Sequence, residues 1–259
     1  RLINMLKLVK YEFRKNLYSM LVMGGMLIAA QVYFLYACFI ADDRNKALAG
    51  AWLLFMVAAI CFFMVFITGV ITYSRELSNK TSYLVFMTPN SAIKIIGSKL
   101  LYTLLNGALV LAILVILGIF DWKLLMKMWE QEVSMLETIA DMLGSLGVDT
   151  LNIMYSLLAL TFRFLVSFFM AITLAYMSVT ATATILQNKK IKGLISVVLY
   201  ILVFVVVNKV GGLFPRLYEN PESFTQVVMA DFPCMIFFLI IVIGSVIATS
   251  QLLEKHVSL

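Results

Sequence analysis

GAWLLFMVAAICFFMVFITGVITY, residues 50–73, runs for 24 residues without one charged side chain. A helix of that length reaches about 36 Å, enough to cross the roughly 30 Å hydrocarbon core of a bilayer. The stretch therefore reads as a membrane span. Comparable apolar runs occupy residues 19–40, 98–120, 154–186, 192–210 and 233–253. The run at 154–186 is longer than a bilayer needs, so one of its ends should project or tilt. The fold class that follows is all-α: a polytopic membrane protein with six transmembrane helices, read as a single transmembrane domain over 1–259.

Composition agrees. Apolar residues make up 63% of the 259 and charged residues 13%, against about 45–50% and about 25% in soluble domains. A soluble enzyme, a disordered chain, a disulfide scaffold and a nucleic-acid module do not fit that balance. Cys38, Cys61 and Cys234 lie in apolar runs without CxxC spacing, so neither a zinc site nor a redox pair is signalled. His256 is the single histidine, which leaves no multi-histidine metal site, and no metal-ligating residue is assigned. The first apolar run is too long for the h-region of a signal peptide, so it is expected to stay as a span. The chain opens on Arg1, and Met5 is a candidate start.

Charge sets the expected orientation. Six spans place both termini on one side. That side carries 13 of the 20 basic residues: Arg1, Lys7, Lys10, Arg14, Lys15, Arg75, Lys80, Lys94, Lys99, Lys189, Lys190, Lys192 and Lys255. Six lie on the other side and Arg163 lies within the fourth span, whereas only Glu12, Glu76 and Glu254 of the acids share the first side. The excess of Lys and Arg near span ends predicts cytoplasmic termini.

Two segments are amphipathic without being long or apolar enough to span. In residues 5–18, Leu6, Val9, Phe13 and Leu17 form one stripe and Lys7, Lys10 and Arg14 another. That pattern predicts a helix lying in the inner interface, apolar side toward lipid and cations toward the phosphates; the alternative is an ordinary extension of the first span. In residues 121–150, Trp122, Leu125, Trp129, Val133, Leu136 and Leu143 share a stripe, while Asp121, Glu130, Glu132, Glu137 and Asp141 supply polar surface. The expectation there is a connector packed on the outer helix ends, with a gate or an outward contact surface as the alternative.

The loop over 74–97 carries the functional signal, within SRELSNKTSYLVFMTPNSAIKIIGSK. Ser78 or Asn79 is suited to cap a short helix, and Thr88 to cap the next with Pro89 at its first position. Between them lie Tyr83, Leu84, Val85, Phe86 and Met87, an apolar knob only about 7.5 Å long as a helix and too short to cross lipid. An exposed apolar patch favours burial against a partner, or folding back on its own helix ends.

The order of these features resembles the membrane subunits of type-two ATP-binding-cassette (ABC) exporters. The basic start KLVKYEFRKN, the loop with Glu76, Thr81, Leu84, Phe86, Thr88, Pro89 and Lys99, the cluster Asn188, Lys189 and Lys190, and the tail LLEKHVSL carry the likeness. Size and compactness are similar to small bacterial permeases for peptide export or antibiotic immunity. The resemblance implies an N-terminal elbow helix bearing Lys7, Lys10, Phe13 and Arg14, and a cytoplasmic coupling helix at about 79–87. Glu76, Thr81, Tyr83, Leu84, Phe86, Met87, Thr88 and Pro89 would form the ATPase-coupling set. It implies two copies of a separate ATPase that bind ATP and Mg, since this chain has no GxxxxGK[ST] loop, together with a second permease, identical or related, in the bacterial plasma membrane.

Polar residues within spans complete the reading. Arg163 is costly at that depth; it is expected to snorkel or pair with an acid such as Asp149, or else to contact cargo. Thr68, Thr72 and Tyr36 join it as a possible cargo path. Ser178, Thr180, Thr182 and Thr184 suit close helix packing, with pore lining as the alternative. The expected function is the permease of an ABC exporter for hydrophobic or amphipathic cargo, possibly a peptide, not itself an enzyme. An ATP-independent channel or structural partner is the alternative, with an intramembrane enzyme below it for want of paired carboxylates.

Overall fold

The computed structural model describes residues 2–78, 92–130, 138, 150–185, 191–218, 226 and 229–257, with side chains over the narrower ranges 7–77, 92–130, 158–185, 191–218 and 229–254 and at 138 and 226. Among the described residues there are seven helices and no strand. They are α1 (Leu2–Lys15), α2 (Leu17–Phe39), α3 (Arg44–Ser78), α4 (Ala92–Met128), α5 (Thr150–Ile185), α6 (Lys192–Gly211) and α7 (Phe232–Val257). Six of them, α2 to α7, are long and apolar enough to cross a membrane.

The burial pattern fits a lipid surround. On α6, Leu194, Val197, Val198, Ile201, Leu202, Val205 and Val206 are exposed, while Ser178 and Thr180 of α5 and Thr249 of α7 are buried. In water such an apolar exterior would be unfavourable; hydrocarbon removes that penalty and instead demands that the hydroxyls find partners inside. They do so within their own helix. Ser178 donates to the Leu174 carbonyl at 2.9 Å, Thr180 to Tyr176 at 2.9 Å and Thr182 to Ser178 at 2.9 Å. These bonds leave a low-profile helix face suited to close packing.

The chain clusters into two compact units, the first comprising residues 1–69 and 101–139, the second 70–100 and 140–259. In the first, Phe34, Ala37, Cys38 and Ala47 form a core against Leu54, Leu124, Leu125 and Met128. The α2–α3 connection is tight: Asp42 takes a positive φ of 43°, and Asp43 accepts the Asn45 N–H at 2.9 Å to cap α3. Close approach also requires Gly69, where a Cβ would lie 2.9 Å from the Thr103 hydroxyl. In the second unit α5 is central and packs on both α6 and α7, with Met170, Leu174 and Val207 at the core. At Gly211 a Cβ would come within 2.8 Å of Phe238 and 3.0 Å of the Cys234 sulfur, so only glycine lets the end of α6 sit this close to α7.

Three sequence expectations change. Helices α3 and α4 run well past the spans read at 50–73 and 98–120, because charged and polar residues continue a helix beyond lipid where hydropathy alone stops. Asp121, read as polar surface of an outer segment, is a buried residue inside α4 that accepts a hydrogen bond from Gln31 Nε2 of α2. On α1, the middle of the stripe read as facing lipid meets protein: Val9 is buried and the half-buried Phe13 ring meets Tyr102 edge-on at 4.9 Å, while Leu17 is exposed. Lys7, Lys10 and Arg14 remain exposed, as their face of the helix demands.

Candidate functional site

Two polar constellations stand out in the second unit, both reached by the central helix α5. The first lies where α3 ends and α4 begins, flanking residues 79–91. Glu76 sits two residues before the end of α3 and Lys99 two turns into α4. Their side chains form an ion pair, Lys99 being only 4% exposed and Glu76 15%. Burial of Lys99 and the low exposure of Glu76 make the pair a geometric constraint: leaving the Lys99 charge alone in a low-dielectric setting is costly.

One turn earlier on α3, the Tyr73 hydroxyl lies 2.6 Å from Thr180 Oγ1 of α5. Thr180 has one proton, and it is given to the Tyr176 carbonyl. Tyr73 is therefore the donor and Thr180 the acceptor. The Tyr73 and Tyr176 rings stack with centroids 4.3 Å apart and 27° between planes. The end of α3 is thus tied to α4 by charge and to α5 by a hydrogen bond and a stacked pair.

The second constellation lies toward the other end of α5. Arg163 Nη2 is 2.7 Å from Asp231 Oδ2, and Arg216 Nε is 3.5 Å from Asp231 Oδ1. Asp231 sits just before α7, where its carbonyl accepts the Met235 N–H at 3.1 Å, and the neighbouring Ala230 carbonyl accepts the Leu217 N–H at 3.0 Å. These bonds fold the segment after α6 back onto the start of α7. The three charged residues, with Ser167, Asn208 and Phe238, border a pocket of about 310 Å³. Among the described residues the partner of Arg163 is Asp231, which the packing of α7 on α5 brings alongside; the expected Asp149 lies outside them.

Of the expected coupling set, Glu76 is placed as described, whereas Thr81, Tyr83, Leu84, Phe86, Met87, Thr88 and Pro89 lie outside the described residues. The other residues of the expected cargo path are described each within its own unit. Tyr36 points outward with half its surface exposed, and Thr68 is buried, both in the first unit. In the second unit Thr72 is buried in α3 and does not line the pocket that holds Arg163.

Sequence reasoning passed over a polar seam in the first unit. Glu12, Asn16, Tyr102 and Asn106 are all buried, with the Asn16 side-chain amide donating to the Glu12 carbonyl at 3.1 Å. Asn106, amid the apolar run of α4, was the readable signal. Among the described residues no cluster of three or more His, Cys, Asp or Glu is arranged to hold a metal. Compared with protein-family models, with curated proteins and with solved structures, the chain matches none.

Proposed function

We propose that the chain is the permease subunit of an ABC exporter, moving hydrophobic or amphipathic cargo across a bacterial plasma membrane under the drive of a separate ATPase. Six membrane-length helices supply the body of such a subunit. The bias of Lys and Arg supports cytoplasmic termini, which puts residues 79–91 on the ATPase side.

The observation that carries the reading is the buried Glu76–Lys99 pair, which clasps the two helix ends from which that loop emerges. A loop meant to transmit a push needs stiff roots. Here both roots are long helices, pinned to each other by charge and, through Tyr73, to α5. Force applied at Leu84 and Phe86 would then move helices rather than flex a hinge. The exposed cations of α1 suit anionic lipid beside the same face. ATP and Mg belong to the partner, two copies of it with two permease chains completing the assembly.

The test is to solubilise the chain from its native membrane and identify what co-purifies. The reading expects an ABC ATPase in equal amount, lost when Leu84 and Phe86 are both changed to Asp while the fold, followed by circular dichroism, persists. A chain that purifies without any ATPase, or an ATPase retained by the Leu84→Asp/Phe86→Asp variant, would overturn it.

A further inference from the structure

We propose that the pocket at Arg163, Asp231 and Arg216 binds the phosphate of a phospholipid headgroup, with the two guanidiniums as its donors. The charge count among the described lining residues is two cations to one anion, which leaves a positive excess at the pocket. The two arginines are held differently. Arg163 makes a short contact with Asp231 at 2.7 Å, whereas the Arg216 contact is 3.5 Å long and its side chain is 73% exposed. Charge-assisted N–H···O bonds close to about 2.7–2.9 Å, so Arg216 is loosely tethered and its planar fork is available to a second oxyanion. Phosphate, with several equivalent oxygens, takes such forks bidentately.

The pocket volume of about 310 Å³ is about ten times the roughly 30 Å³ share of one water in the liquid, room for a glycerophosphate group. Ser167 and Asn208 add polar groups to the wall. The surroundings select a lipid over a free ion. Arg163 is flanked on α5 by exposed Phe162 and Phe164, and the lining residues Gly212, Arg216 and Asp231 have exposed Leu213, Leu217 and Phe232 as sequence neighbours. Leu213 is 82% exposed. An anion-binding fork set in an apolar rim matches a molecule with a phosphate at one end and acyl chains at the other. This inference stands whether or not an ATPase drives the chain.

The experiment measures binding to the purified, detergent-solubilised chain by its thermal shift, with short-chain phosphatidylglycerol, the matching diacylglycerol without phosphate, and inorganic phosphate as probes. Phosphatidylglycerol is expected to stabilise, and the other two at equal concentration are not. Arg216→Gln, at an exposed position that should leave folding intact, is expected to weaken the lipid about tenfold, the loss of one charge-assisted bond. Arg163→Gln combined with Asp231→Asn, which leaves no orphaned carboxylate, should also weaken it. Equal lipid binding by wild type and Arg216→Gln would overturn the proposal, as would an equal shift from diacylglycerol. An equal shift from inorganic phosphate would overturn the lipid assignment and leave an adventitious ion only.

Discussion

The two ends of α5 use the same chemistry to opposite effect. Near its end, Thr180 and Tyr176 receive Tyr73 beside the Glu76–Lys99 pair, with Lys99 only 4% exposed. In its first half, Arg163 meets Asp231 while remaining 46% exposed. The 17 steps along the chain from Arg163 to Thr180 set the two regions about 25 Å apart along the helix. A buried ion pair loses hydration and holds its partners in one geometry; an exposed one trades partners easily. Burial thus makes one end a joint and the other an opening, the division that the proposed permease would need between where force enters and where ligands arrive.

Breaking the joint should have the largest effect. Changing Lys99 to Met takes the cation from a Glu76 carboxylate that is only 15% exposed, a loss of about 3 kcal/mol, the low end for a buried pair. The double variant Glu76→Gln/Lys99→Met should recover most of it; thermal unfolding in detergent compares the two. Recovery would show that the pair fixes geometry more than it adds stability. Next comes Gly211→Ala, which forces a Cβ to within 2.8 Å of Phe238 and should cost about 1–3 kcal/mol through overpacking. Tyr73→Phe keeps the ring stack and removes only the bond to Thr180, a loss of about 1 kcal/mol. At the open end, Arg216→Gln should change stability by less than about 1 kcal/mol. A loss at Arg216 as large as that at Lys99 would erase the distinction between the ends.

Much of this architecture was readable before any coordinates. Apolar runs name helices directly, because lipid demands both length and composition. Arg163 was legible as a charge at odds with its span, and Glu76 as part of the loop pattern. What could not be read was pairing. Asp231 stands 68 positions from Arg163 in the sequence, and only the packing of α7 against α5 brings the two together. Lys99 was legible as a cation but not as the partner of Glu76, since 23 positions and a loop separate them. Asp121 misled because the end of hydropathy was taken as the end of the helix, whereas α4 continues to Met128 and turns that carboxylate toward Gln31. On α1 the stripe was seen correctly, but amphipathicity alone does not tell lipid from protein, and Tyr102 supplied the covering surface.

The measurement that bears most directly on the permease reading is ATP hydrolysis by the assembled complex with the joint removed. Glu76→Gln/Lys99→Met leaves residues 79–91 unchanged and unpins the helix ends that flank them, so the account predicts an assembly that still forms but whose hydrolysis no longer responds to cargo. A double variant whose cargo-stimulated hydrolysis matches wild type would contradict it.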